Sequence, residues 1–317
     1  MTPLFRRRDP NAAADRDAAA AREAESLERL AAGHIPTAAA ERLEAQRDAQ
    51  ETAFTSDLSV AEFALLARLG VTPLTLVMGS SIYQVGWQWG VYNAPTEIVP
   101  ISRAYNESRR LALARLLEEA QLAGADAVVG VRITEGAHDW AAGAVEFVAF
   151  GTAVRLPDAL RDRGNTVLTD LSGQDYVKLC NAGMRPVGIA GRTSVHYVPA
   201  SWSTQQALGG GGLFGTGWAN QELTDFTQGV YDAREKVVSA LAGDARALGG
   251  DGVIGVSIRE HARANRVNRG GFESSDLIIT FHAIGTVVAE DPSLVAASPP
   301  PRTVVSLSRA PKKGALR

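Results

Sequence analysis

Hydrophobic and polar positions follow a helical period and then change to a strand-like run near the middle of the chain. Between about residues 104 and 123, apolar side chains recur at helical spacing, at Leu113, Leu116, Leu117 and Ala120. The string AGADAVVGV at residues 123–131 follows and opens an apolar run. The pattern therefore predicts a long helix that ends near Gly124 and a strand that begins near Ala127.

The same succession appears a second time further along the chain. A second helical pattern leads to the string LGGDGVIGV at residues 248–256, and the motif SDLS at 56–59 recurs as TDLS at 169–172. The spacing between paired motifs grows along the chain, which indicates insertions in the glycine-rich stretches 208–218 and 265–271. Because loops tolerate extra length, we expect both insertions to lie between elements. We interpret the pattern as an internal duplication of a domain of about 100 residues.

Start and stop signals divide both copies into the same elements. Ser59 and Glu62 are spaced as a capping box for a short helix, which Gly70 ends and Pro73 prevents from continuing. An extended segment, the long helix and two strands follow, at about 74–85, 104–123, 127–133 and 145–154 in the first copy. The second copy predicts strands at about 187–198, 253–258 and 277–288. The predicted divisions are copy one at 54–156, a linker at 157–166 and copy two at 167–290.

The two termini differ from the copies in composition. Residues 1–53 are rich in Ala, Arg, Glu and Asp, and Gly33 followed by Thr37 suits a helical hairpin that resembles the paired-helix SHOCT segments. A solvated, partly helical tail is the alternative. Residues 291–317 are rich in Pro and Ser and are predicted to be disordered. The N-terminal arm and the basic end of this tail are candidate contacts for a protein partner.

Composition excludes several classes of function. A chain of 317 residues with 45% hydrophobic and 21% charged residues is an ordinary globular protein with room for about two domains. Its net charge of −3 offers no broad basic face, so nucleic acid is not an expected partner. No apolar run approaches the roughly 18 residues of a membrane span, and a cytoplasmic protein is expected. The single cysteine, Cys180, excludes an intrachain disulfide and a thiolate-rich metal site.

From Ala233-Arg234-Glu235 to the string at 248–256, the chain resembles the YbjQ-like family, and copy one matches it at Arg109 and at 123–131. Ser108 and Arg110 depart from the family's Ala and Glu. The resemblance implies an α+β fold akin to dodecin, with a strand, a long helix and an antiparallel strand pair in each copy. It also implies assembly into homo-oligomeric rings, and it carries a heavy-metal-binding label. We therefore expect tandem dodecin-like domains that form a ring.

Histidines with nearby carboxylates are the candidate metal ligands. His138 and Asp139 with Glu135, and His261 with Glu260, are expected in corresponding turns after the first strand that follows each long helix. Imidazole and carboxylate suit borderline divalent metal ions, so a metal-binding or metal-stress protein is one hypothesis. Solvated turns without metal are the alternative interpretation.

Other residues receive structural interpretations. The helix-to-strand hinges contain Gly124, Asp126, Gly130, Gly249, Asp251 and Gly255, and the two aspartates are expected to bond nearby backbone N–H groups. Candidate contacts between subunits are Trp87, Trp89, Leu213, Phe214 and Trp218. No nucleophile and base are paired in the sequence. The leading hypothesis is a non-enzymatic, homo-oligomeric scaffold or binding ring, and an enzyme acting on a small ligand between subunits is a further alternative.

Overall fold

The computed structural model describes residues 12–48, 53–86, 92–137, 143–161, 164–208, 220–269 and 272–294. Two helices, α1 (Ala12–Ala31) and α2 (Thr37–Asp48), form an N-terminal hairpin around Gly33, whose φ is +93°. Ile35 and Leu43 of this hairpin are fully buried. The tail beyond residue 294 lies outside the described residues. No helix in the described ranges has the length and apolar character of a membrane span.

The first half of the remaining chain forms one helix-covered sheet. This half of the chain contains α3 (Val60–Arg68), β1 (Thr72–Gln84), β2 (Thr96–Glu97), α4 (Val99–Leu122), β3 (Ala127–Ala137) and β4 (Ala144–Arg155). The Ser59 and Glu62 capping box is present, because the Glu62 N–H donates to Ser59 Oγ at 3.3 Å and the Ser59 N–H donates to Glu62 Oε2 at 2.8 Å. The core forms where Ala112, Leu116 and Ala120 of α4 pack on the sheet.

The second half also packs a long helix on a sheet. It contains β5 (Val167–Leu168), α5 (Gly173–Asn181), β6 (Met184–Val198), α6 (Trp202–Leu208), α7 (Thr224–Ala247), β7 (Gly252–Arg269) and β8 (Phe272–Glu290). Val237, Leu241 and Ala245 of α7 pack on β6 and β8 and form the second core. A buried Val or Leu side chain contributes roughly 1.5–3 kcal/mol, so these two helix faces stabilise their sheets substantially. The predicted α+β class is confirmed.

Each sheet is completed by a short strand from the other half. The first sheet has the order β1-β4-β3-β5, and β5 comes from the chain that follows the linker. The second sheet has the order β2-β6-β8-β7, and β2 comes from the first half. β5 pairs in parallel with β3 at Val167 and Ala127, and β2 pairs antiparallel with β6 at Thr96 and Tyr197. The two halves are thus joined by an exchange of strands as well as by the linker.

Each hinge ties the end of its long helix to the strand that comes last in that half of the chain, β4 or β8. Gly124 and Gly249 have φ of +72° and +74°, which is the left-handed conformation that ends a helix. Asp126 Oδ2 accepts the Leu156 N–H at 2.8 Å, and Asp251 Oδ2 accepts the Glu290 N–H at 2.9 Å. Both carboxylates therefore bond backbone N–H groups at the end of the neighbouring strand rather than within the turn itself.

The β7–β8 hairpin is longer than the sequence predicts. Glu135 lies within β3, and Glu260 and His261 lie in the middle of β7, so the expectation that they occupy turns is wrong. Residues 265–269 are also strand, since pairing continues without a break to Arg269 and Phe272. Most side chains of β7 are exposed, and a strand with two solvated faces lacks the apolar alternation that would reveal it.

The close approach of α4 to β1 at Gly79 makes a testable prediction. A Cβ on Gly79 would lie 2.0 Å from the Ala112 carbonyl oxygen and 2.4 Å from the Leu116 nitrogen, both of which are backbone atoms of α4. We expect Gly79→Ala to lower the free energy of unfolding by about 1–3 kcal/mol, because the helix must move off the strand. Urea unfolding followed by circular dichroism measures this change.

Gly243→Ala provides the matched control. Gly243 lies within α7, and a Cβ there meets nothing within 4 Å. This variant should raise the free energy of unfolding by roughly 0.5–1 kcal/mol, since alanine favours a helix interior over glycine. Equal stability of the Gly79→Ala variant and the parent protein would contradict the packing described here.

Candidate functional site at the junction of the two halves

Helix α4 lies along the outer edge of β6, where its polar side chains take the place of a further strand. The Asn106 amide bonds both backbone groups of Thr193: its Oδ1 accepts the N–H at 3.0 Å, and its Nδ2 donates to the carbonyl at 2.9 Å. One turn earlier, Ser102 Oγ accepts the Val195 N–H at 2.9 Å. These contacts satisfy edge groups that would otherwise be unpaired.

Arg109 is the central residue of this junction. Its side chain is buried, and its guanidinium donates to Thr193 Oγ1 at 2.7 Å and to the Gly191 carbonyl at 2.7 Å. A Cβ on residue 191 would lie 2.9 Å from Arg109 Nε, so glycine makes room for the guanidinium. The group also lies 5.8 Å from the centre of the Phe147 ring. Burial lowers the pKa of Arg109 to about 10, which keeps it charged at neutral pH.

His282 extends the network across the sheet to Glu135. The Thr193 hydroxyl accepts from Arg109 and also shares a hydrogen bond with His282 Nδ1, 2.8 Å away. The other ring nitrogen, Nε2, faces Glu135 Oε2 at 3.4 Å. Burial, followed by the Arg109 charge, lowers the pKa of His282 to about 4, and burial raises the pKa of Glu135.

The candidate metal ligands are only partly within the structure. His138 and Asp139 lie outside the described residues, whereas Glu135 contacts His282, and Glu260 and His261 lie along β7. Within the described ranges, no three His, Cys, Asp or Glu side chains are grouped as metal ligands would be. The charges of Arg109 and Arg259 act on the Glu135 carboxyl and would oppose a cation there. The described residues therefore do not fit a metal ion.

A cleft of about 460 Å³ lies beside Arg109, between α4, β6 and α7. Two of its charged pairs are salt-bridged, Arg192 Nε to Asp244 Oδ2 at 2.6 Å and Arg110 Nε to Glu107 Oε2 at 2.9 Å. The described lining contains no Ser, Thr, Cys, Lys or His side chain to act as a nucleophile. The described lining residues of the cleft therefore include no paired nucleophile and base.

Some of the other residues singled out in the sequence lie outside the described residues, and others have a defined position. The candidate subunit contacts at Trp87, Trp89, Leu213, Phe214 and Trp218 all lie outside the described residues. Cys180 is buried, and burial raises its thiol pKa to about 11, so it packs as a small apolar residue. Sequence reasoning missed the contacts of Thr193 and His282. The available signal was the arginine shared by both long helices, at Arg109 and Arg234.

Comparison with known proteins identifies the family. A profile described as YbjQ, "Putative heavy-metal-binding", matches residues 94–157, which include β2, α4, β3 and β4. An encapsulin nanocompartment protein of Mycobacterium tuberculosis is 37% identical over 212 residues, which are 65% of this chain and 78% of that protein. The chain contains a YbjQ-like domain at residues 94–157 and belongs to the same family as the Mycobacterium tuberculosis protein. The family match thus contains the helix that carries Arg109 and the first hinge.

Shorter relatives match the same part of the chain. A UPF0145 protein of Methanococcus vannielii is 47% identical over 60 residues, which are 19% of this chain and 55% of the relative. A UPF0145 protein of Clostridium perfringens is 40% identical over 70 residues, which are 22% of this chain and 58% of the relative. The chain thus spans little more than half the length of these UPF0145 proteins. No solved structure matches the chain.

The neutral state of His282 makes stability depend on pH. Between pH 6.5 and about 4 the unfolded imidazole binds a proton that the folded one excludes, so the free energy of unfolding falls as the pH is lowered. This contribution is at most about 3 kcal/mol. His282→Gln keeps a hydrogen-bonding group for the Thr193 hydroxyl but does not titrate, so its unfolding free energy should fall less over this range. Urea unfolding at several pH values measures the difference.

The pH dependence of the His282→Gln variant is compared with that of the parent protein, because a second titratable group also contributes. Glu135 contributes with the opposite sign, because its raised pKa favours the folded state at low pH and loses that effect as the pH rises. His34→Gln is the control, since its side chain is 60% exposed. If the His282→Gln and parent proteins lost stability equally between pH 6.5 and 4, the neutral buried imidazole would be refuted.

Proposed function

We propose that this protein is a non-enzymatic structural protein in which two YbjQ-like units are duplicated in one chain and assemble with further copies into a closed ring. The ring would act in the cytoplasm as a scaffold or binding surface. The observation that carries the proposal is the exchange of β2 and β5, because each unit completes its sheet with a strand from the other. A unit of this kind needs a neighbour to be complete.

Matched contacts support the duplication. In the first unit the Asp57 N–H donates to Thr152 Oγ1 at 3.2 Å, and in the second the Asp170 N–H donates to Thr286 Oγ1 at 3.0 Å. In both units the threonine hydroxyl donates to the carboxylate of the same aspartate. Such agreement in side-chain detail goes beyond the shared order of helices and strands.

The named relative supports an assembly role. The Mycobacterium tuberculosis protein is called an encapsulin nanocompartment protein, and its match of 212 residues is longer than either predicted copy. Both units of this chain therefore have counterparts in that relative, at least in part. We propose that the present chain likewise acts within a larger protein assembly.

Native mass spectrometry of untagged protein purified without chelators tests the proposal. We expect one discrete species whose mass is a whole multiple of the 33.5 kDa chain, because the sheet edges left open in one chain are closed by others. The same spectrum reports any retained small molecule, which would favour the hypothesis of an enzyme at subunit interfaces. A stable monomer at micromolar concentration would refute the assembly.

Metal binding is the second candidate function, and the family description favours it. Because the described residues do not fit a metal ion, the leading proposal expects no stoichiometric metal in purified protein. The test compares the metal content of the parent, the His138→Ala/His261→Ala double variant and a His34→Ala control by elemental analysis. Stoichiometric metal that is lost only in the double variant would make metal binding the leading hypothesis.

A further inference from the structure

We propose that the second half of one chain docks on the first half of the next chain in the same arrangement that joins the two halves within a chain. This inference rests on the proposed assembly and specifies its interface. Face A is the surface of α7 and β7, and face B is the surface of residues 54–58, α3 and β1. Within one chain, the counterpart of face A, formed by α4 and β3, is already docked on the counterpart of face B, formed by residues 167–171, α5 and β6.

Face A exposes apolar side chains at positions where its counterpart within the chain buries them. Val129 and Val131 of β3 are 0% and 4% exposed, since the second half packs against them. The residues at the same positions of β7, Ile254 and Val256, are 36% and 40% exposed. Large apolar side chains at an exposed strand indicate a surface that is buried in an assembly. Face A therefore lacks the partner that β3 has.

Face B shows the complementary difference. Val195 of β6 is 1% exposed at the junction, whereas Ile82, at the same position of β1, is 53% exposed. Tyr176 of α5 is 3% exposed, whereas Phe63 at the same position of α3 is 38% exposed. Face B therefore also presents apolar groups that its counterpart buries. Face A on the second half of one chain and face B on the first half of the next chain are therefore both exposed, and each is the surface that the other would contact.

Backbone hydrogen bonds at the junction define the pairing that face A would repeat. At the junction the Gly130 N–H donates to the Leu171 carbonyl at 2.9 Å, and the Val131 N–H donates to the Thr169 carbonyl at 3.0 Å. Gly130 adopts φ of +66° at an irregularity in the pairing of β3 with β4, which turns its N–H outward.

Face A contains a glycine with the same backbone conformation. Gly255 adopts φ of +64° at an irregularity in the pairing of β7 with β8, so its N–H takes the orientation of its counterpart in β3. The matching acceptors on face B are the carbonyls of Ser56 and Leu58, in the motif that precedes α3. Face B of the next chain thus offers a short strand that can extend β7, as β5 extends β3.

A buried arginine at the junction has an exposed counterpart on face A. Helices α4 and α7 are both 24 residues long, and Arg109 and Arg234 occupy the same position in each. Arg109 is 5% exposed, whereas Arg234 is exposed. Ser80 of β1 occupies the position of Thr193 and offers the same hydroxyl. We therefore assign Arg234 to the hydroxyl of Ser80 in the next chain.

The two faces differ from each other, so the contact is head-to-tail rather than self-complementary. A head-to-tail contact repeats from chain to chain and closes into a ring when its rotation permits. It also predicts how defective chains combine. A chain with a damaged face A and a chain with a damaged face B retain one compatible pair of faces, and together they can form a single contact.

Val256→Asp and Ile82→Asp test the two faces separately. Both side chains are exposed within a single chain, so each variant should fold, which circular dichroism checks. Native mass spectrometry should show that each variant alone loses assembly and that an equimolar mixture forms a dimer of one chain of each kind. Leu27→Asp, on the exposed face of α1, is the control and should assemble like the parent.

Arg234→Glu and Arg246→Glu form a second matched pair on the same helix. Both arginines are exposed, but only Arg234 has a counterpart that is buried at the junction, since Gln121 occupies the other position and is exposed. Arg234→Glu should weaken assembly, shifting the concentration of half-assembly upward at least tenfold, whereas Arg246→Glu should leave it unchanged.

The outcomes separate this inference from the proposed function. A parent protein that is monomeric refutes both. A parent that assembles, together with Val256→Asp and Ile82→Asp variants that still assemble, overturns the interface and leaves the assembly intact. Variants that fail to assemble alone and also fail to form a dimer when mixed would overturn the head-to-tail geometry.

Discussion

The arrangement of the two halves depends on the burial of one positive charge, the guanidinium of Arg109. A buried charge is tolerated only when its lost hydration is replaced by hydrogen bonds. Here the Thr193 hydroxyl and the Gly191 carbonyl provide them, and both belong to the edge of β6 in the other half. A shift of α4 along β6 would leave the charge without these partners, so the guanidinium fixes the position of one half on the other.

The elements within each half could be predicted from sequence because their signals are local. Gly124 ends a helix through its own backbone conformation, and the capping box of Ser59 and Glu62 spans only four residues. The exchanged strands could not be predicted in this way. Each contains only two residues, and each exists because the opposite sheet has an open edge beside it. Their cause lies in tertiary structure.

The candidate site shows the same division between local and distant causes. Glu135 follows a long helix in the sequence, but the residue that contacts it, His282, comes from a different half of the chain. A carboxylate beside a histidine in sequence suggests a metal ligand. The positive charges of Arg109 and Arg259 change that interpretation, and no spacing rule reveals that they act on this carboxyl. Burial, together with charges that are distant in sequence, therefore decides the chemistry of this carboxyl.

Joining two units in one chain would also allow the junction within the chain to differ from the proposed contact between chains. Thr193 pairs across the sheet with His282, whereas Ser80 pairs with Val148, so the buried imidazole belongs only to the junction inside the chain. Because the linker keeps the two halves at high effective concentration, that junction can tolerate a titratable group. A contact between separate chains has no such support and gains more from apolar residues such as Ile82. Acidification should therefore act first on the junction within each chain, through His282.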